Sequence, residues 1–70
     1  MTKKQMQEKL QEEFNVNYEL YKFFKERGNE DAACPYWIRS DEESFWLREL
    51  FGVDALQAYL DGLYGTSSIA

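Results

Sequence analysis

The stretch CPYWIRSDEESFW, residues 34 to 46, decides how the chain divides. Pro35 disfavours helical geometry at Cys34. Ser40-Asp41-Glu42-Glu43 has the form of a capping box, in which the Ser40 hydroxyl accepts from the Glu43 backbone and the Glu43 carboxylate reaches back. Three acids there also oppose the positive end of a helix dipole. The stretch therefore reads as the end of an irregular connection followed by the start of a helix. That helix is predicted over about residues 41–51, with Trp46, Leu47, Leu50 and Phe51 on one side and Gly52 as its stop.

Upstream, Met6, Leu10, Phe14, Tyr18, Tyr21 and Phe24 recur at three- and four-residue steps without Gly or Pro, which predicts a long helix over about 3–27. Thr2 can cap its start, and Gly28 supplies the left-handed residue that commonly ends a helix. Asn15-Val16-Asn17 is its weak point, because Asn and a β-branched residue are mediocre helix formers and either Asn could cap a second segment. Between the two helices, 28–39 reads as a long loop with polar turn material at Asn29-Glu30-Asp31 and an extended Tyr36-Trp37-Ile38. Downstream, Asp54 caps a third helix over about 55–64 with a stripe of Leu56, Tyr59, Leu60 and Leu63. Gly65 ends it, and 66–70 reads as a frayed tail.

The expected fold is thus a single all-α domain over 1–70, with three helices, or four if the first breaks near Asn15–Asn17. These lengths clash. A helix of 25 residues spans about 38 Å, whereas helices of about eleven and ten residues span only about 15–17 Å. Either the first helix bends, or its Met6, Leu10, Phe14 half waits for a second copy or another protein to cover it.

Size makes aromatic bulk important. A 70-residue chain buries only about 60% of its unfolded surface, and two Trp, five Tyr and five Phe can supply the missing core. The single cysteine cannot form an intramolecular disulfide, so a reducing, cytoplasmic setting is expected. No apolar leader core precedes the first helix, and no run approaches the roughly 18 apolar residues of a membrane span. Charge divides unevenly: residues 1–27 carry six basic against five acidic side chains, and 28–70 carry two against eight. The acidic half repels a phosphate backbone and attracts basic surfaces, so no direct nucleic-acid binding is expected.

Catalytic, cofactor-binding and metal-ligating residues are not expected. The chain has no His, which removes Ser/His and Cys/His pairs, and Cys34 has only Arg39 near it in sequence to lower its pKa. Asp41 with Glu43, or Glu12 with Glu13, would need a pocket to separate their pKa values before doing acid–base work. The acids lack the spacing of a calcium loop, and Gly28, Gly52, Gly62 and Gly65 are too scattered to cradle a phosphate.

What remains is an excess of large apolar groups. Val16 and Phe23, with Leu20, fall outside the main stripe of the first helix, either wrapped into the core or forming the edge of a binding face. Phe45 falls beside Arg48 and Glu49 on its wheel, away from the apolar side. It either packs on Tyr36 or Trp37 at the helix start, or joins Tyr36, Trp37 and Arg39 in an aromatic-plus-Arg patch of the kind that dominates interfaces. Glu30, Asp31, Asp41, Glu42 and Glu49 would then face a basic partner. The expectation is a non-enzymatic acidic protein-binding module, a small regulator or inhibitor of the kind phages and mobile elements encode. It would occlude a surface on a larger protein, such as a basic nucleic-acid-binding groove. The alternative is a homodimer formed through the first helix.

Overall fold

The computed structural model describes residues 2–64, with side chains through residue 62. The expectations for Gly65, for 66–70 and for the Leu63 side chain lie outside the described residues. Three helices follow in order: α1 Lys3–Glu26, α2 Glu30–Phe51 and α3 Ala55–Tyr64.

At the start of α1, Thr2 Oγ1 accepts from the Gln5 backbone at 3.1 Å and Gln5 Oε1 accepts from the Thr2 backbone at 2.9 Å. This reciprocal pair satisfies two donors that a helix start leaves open. The helix passes through Asn15-Val16-Asn17 without a break, so there is no fourth helix among the described residues. The two Asn side chains are occupied elsewhere: Asn15 accepts from Gln11 at 2.9 Å and Asn17 donates to Glu43 at 2.8 Å. Engaged outward, they do not compete for the local backbone. Gly28, at φ 74°, then turns the chain, its N–H donating to the Lys25 carbonyl while that of Asn29 donates to Phe24.

The loop expected over 28–39 is not there. Asn29 accepts from the Ala32 backbone at 3.2 Å and caps α2, and Glu30 and Asp31 occupy the favourable first turn. Tyr36-Trp37-Ile38 is helical, and Pro35 lies inside the helix. Proline costs an interior helix about 3 kcal/mol, because it cannot donate to the carbonyl four residues back, here that of Asp31. Packing on both sides of Pro35 offsets that cost: Ala33 is buried and the Tyr36 ring stacks on Phe24 at 5.8 Å. Ser40 is consequently no cap. It is buried, and its hydroxyl donates to the Trp37 carbonyl at 2.9 Å. A helix already propagating from Asn29 adds one bond per residue, and Ser40 arrives with its backbone committed.

Helices α1 and α2 run antiparallel. Their contacts pair Phe24 with Tyr36, Tyr21 with Trp37 and Asn17 with Glu43, so position advances on one helix as it retreats on the other. With 24 and 22 residues they span about 36 and 33 Å, and the length mismatch disappears. Leu10 and Phe14 are covered, Phe14 almost completely.

The main core joins Phe14, Leu47, Ala55 and Tyr59, flanked by Leu10, Tyr18, Phe51, Val53 and Leu60. Gly52, at φ 65°, ends α2, and Asp54 caps α3 as its position implies, accepting from the Gln57 backbone at 3.1 Å. The Gln11 amide donates to the Ala55 carbonyl at 3.0 Å, and the Tyr59 hydroxyl donates to Glu19. Edge-on contact of Tyr59 with Tyr18, ring centroids 5.2 Å apart, completes the α3 anchorage. Leu56, expected in the buried stripe of α3, is exposed instead.

Candidate docking surface

The packing of α2 against α1 determines which of its side chains face solvent. Ala33, Ser40 and Leu47, seven residues apart, are its buried positions. Ile38 and Phe45, also seven apart, are on the opposite side, with Trp46 and Leu50 flanking them. All four expose between 44% and 57% of their surface. Trp46 and Leu50 therefore depart from the expectation that put them on the buried side with Leu47 and Phe51.

Along the outer side, Asp31, Pro35, Ile38, Glu42, Phe45 and Glu49 follow one another at alternating steps of four and three. Apolar and acidic side chains thus share one stripe. Its charge is one-sided, since it holds Asp31, Glu42 and Glu49 and no basic residue, and α2 as a whole carries six carboxylates against Arg39 and Arg48. Arg48 approaches Glu49 only to 4.0 Å with both side chains largely in solvent, a pairing of little energetic weight.

Of the two placements that the sequence leaves open for Phe45, the patch with Tyr36, Trp37 and Arg39 is not assembled. Tyr36 turns inward onto Phe24, Trp37 lies against Tyr21 with centroids 5.0 Å apart, and Phe45 meets Trp46 edge-on at 5.1 Å. Successive helical residues diverge by about 100°, so these four point in different directions. Arg39 is exposed, as are Glu30, Asp31, Asp41, Glu42 and Glu49. Glu30 and Asp31 serve the start of α2, and Asp41 and Glu42 lie mid-helix, which leaves them no capping role. On α1, Val16 and Phe23 are exposed, and the Arg27 guanidinium covers the Phe23 ring at 3.7 Å.

A polar cluster that the sequence reading did not anticipate sits at the α1/α2 seam. Glu13 and Asn17, one turn apart on α1, receive Glu43 from α2. Burial is the main cause that lifts the Glu43 carboxyl from its ordinary 4.5 to about 7, and Glu13 adds to it, while the Asn17 hydrogen bond pulls the other way. In the sequence Glu43 stands three residues after Ser40, the partner position of a capping box, and that local match conceals this role. On the other side of the seam, Lys25 is held above its ordinary value, first by its hydrogen bond with Tyr21.

Shallow concavities flank these features, among them one of about 450 Å³ between α1 and α3 lined by Val16, Leu20, Tyr59 and Gly62. Among the described residues no three Asp, Glu, Cys or His side chains are grouped to hold a metal, and no helix is long and apolar enough to cross a membrane. The class defined by this architecture is an antiparallel helical pair braced at one end by a short third helix. No family model, curated protein or solved structure matches the chain.

Proposed function

We propose that the chain is a non-enzymatic, acidic protein-binding module that acts as a small regulator or inhibitor by occupying a surface on a larger partner. The observation that carries this reading is unspent apolar bulk. Met6, Val16, Phe23, Trp37 and Phe45 each leave 43% to 54% of their surface in water, although the chain is short of core. Apolar surface of this kind, rimmed by polar groups, is what interaction sites present. The acidic balance of residues 28–70 favours a basic partner, such as one that carries a nucleic-acid-binding groove. Self-association through α1 has less support, because α2 and α3 already cover Leu10 and Phe14.

Affinity capture of the tagged chain from its native host, followed by mass measurement of the intact complex, tests the reading. The expected result is a stoichiometric complex with a larger basic protein whose affinity drops steeply as ionic strength rises. A complex indifferent to salt would remove the electrostatic part of the proposal, and a chain that recovers only itself would replace it with self-association.

A further inference from the structure

We propose that the outer side of α2 is a docking seam for a basic amphipathic helix. The proposal rests on the protein-binding reading and specifies its surface and its partner.

Spacing gives the shape of the occupant. Asp31, Pro35, Ile38, Glu42, Phe45 and Glu49 repeat at four and three residues, the period at which one helix presents a row to another packed beside it. Trp46 and Leu50 widen the row on one flank. From Ile38 to Leu50 the row extends about 18 Å, or a little over three turns. A flat or extended partner would meet only the crests of such a row, whereas a helix can set side chains between them.

Charge gives the chemistry of the occupant. Glu42 lies one turn from Ile38, Phe45 and Trp46, and Glu49 one turn from Phe45 and Trp46. Any partner that buries those apolar groups must approach both carboxylates, and a carboxylate brought out of water without a counter-charge is costly. Lys or Arg at the facing positions of the partner resolves this. A second copy of the same face fails on these grounds, since a two-fold contact would set Asp31, Glu42 and Glu49 against the same three carboxylates, with no basic residue in the row. Nucleic acid and anionic lipid fail for the same reason. Exposed Phe45 and Trp46, already in edge-on contact, form a preordered aromatic pair of the type that anchors interfaces.

The test is a titration of the intact protein with three synthetic peptides of equal length: Leu and Lys in heptad order, the same residues scrambled, and Leu with Glu in heptad order. The expected result is one-to-one binding of the ordered Leu/Lys peptide, weaker by roughly tenfold or more for the other two. Ile38→Ala with Phe45→Ala weakens that binding by a similar factor, while Val16→Ala with Phe23→Ala on α1 leaves it unchanged. Glu42→Lys with Glu49→Lys transfers the preference to the Leu/Glu peptide, an effect that loss of folding cannot mimic. Equal binding of ordered and scrambled peptides overturns the proposal, as does equal weakening by the α1 pair, or a charge reversal that moves no preference. Host capture separates the two readings. A partner held equally by the wild type and by the Glu42→Lys/Glu49→Lys variant leaves the binding module standing and removes this face. A wild type that captures nothing defeats the module reading alone, and the peptide titration still decides the seam.

Discussion

The two sides of α2 reverse the usual arrangement. The buried positions on its inner side are Ala33, Ser40 and Leu47, two of them small, with Tyr36 and Trp37 laid against Phe24 and Tyr21 of α1, while its outer side shows solvent Ile38, Phe45, Trp46 and Leu50. α1 supplies the bulk instead, through Phe14, Tyr18, Tyr21 and Phe24. A flat inner row of small residues gives those rings room to lie in the seam. Ile38, Phe45, Trp46 and Leu50 are then surplus to the core, whereas Tyr36, Leu47 and Phe51 take part in it or in the seam with α1.

The largest expected effect comes from the one bulky residue of α2 that is fully buried. Leu47 is fully buried in the main core, so Leu47→Ala should cost about 2–5 kcal/mol, read as a lower urea midpoint or the loss of cooperative unfolding. That could exceed the whole stability of so small a domain.

Pro35→Ala should work in the opposite direction. It restores a donor for the Asp31 carbonyl, and after allowance for the stiffness proline lends the unfolded chain, a gain of about 2 kcal/mol is expected in thermal or urea unfolding. Loss of stability instead would mean that residues 30–39 are not helical.

A smaller effect belongs to the seam cluster. The folded state holds a proton on Glu43 up to about pH 7, whereas the unfolded chain releases it near 4.5. Folded protein therefore binds more protons across that window, and stability falls as pH rises from about 4.5 to about 7. Because the group is partly solvated, the change should be about 1 kcal/mol. Glu43→Gln should flatten the dependence, as followed by melting temperature against pH.

The smallest effect should come from the outer side. Ile38→Ala with Phe45→Ala should shift unfolding by no more than about 0.5 kcal/mol per site, since neither side chain fills the core. A large loss would show that the outer row packs against something within the chain.

Much of this molecule is visible in its sequence, and most of the exceptions lie on α2. α1, the two glycine stops and the Asp54 cap follow from local signals that the structure uses as they stand. The first half of α2 does not, because Pro35 and the Ser40-Asp41-Glu42-Glu43 box are breaker and start signals only when no helix is already running. Asn29, Glu30 and Asp31 start one earlier, and they too were legible as a cap with acids in the first turn. The exposure of Val16, Phe23, Trp37 and Phe45 was not fixed by the sequence, because periodicity leaves each of them either in the core or on a binding face and only the packing decides between these. Nor was that of Trp46 and Leu50, because the inner side of α2 is marked by Ala33 and Ser40, which carry almost no apolar signal. Once the helix is extended to Glu30, the four-and-three row from Asp31 to Glu49 can be read directly from the sequence.

Side-chain oxidation footprinting of the isolated chain, with the sites resolved by mass spectrometry, tests the reversed burial most directly. Phe45, Trp46 and Leu47 are consecutive, so one peptide reports both sides of the helix. At a concentration where the chain is monomeric, Phe45 and Trp46 should be modified rapidly while Leu47 stays protected. Protection of Phe45 and Trp46 together with Leu47 would contradict the account.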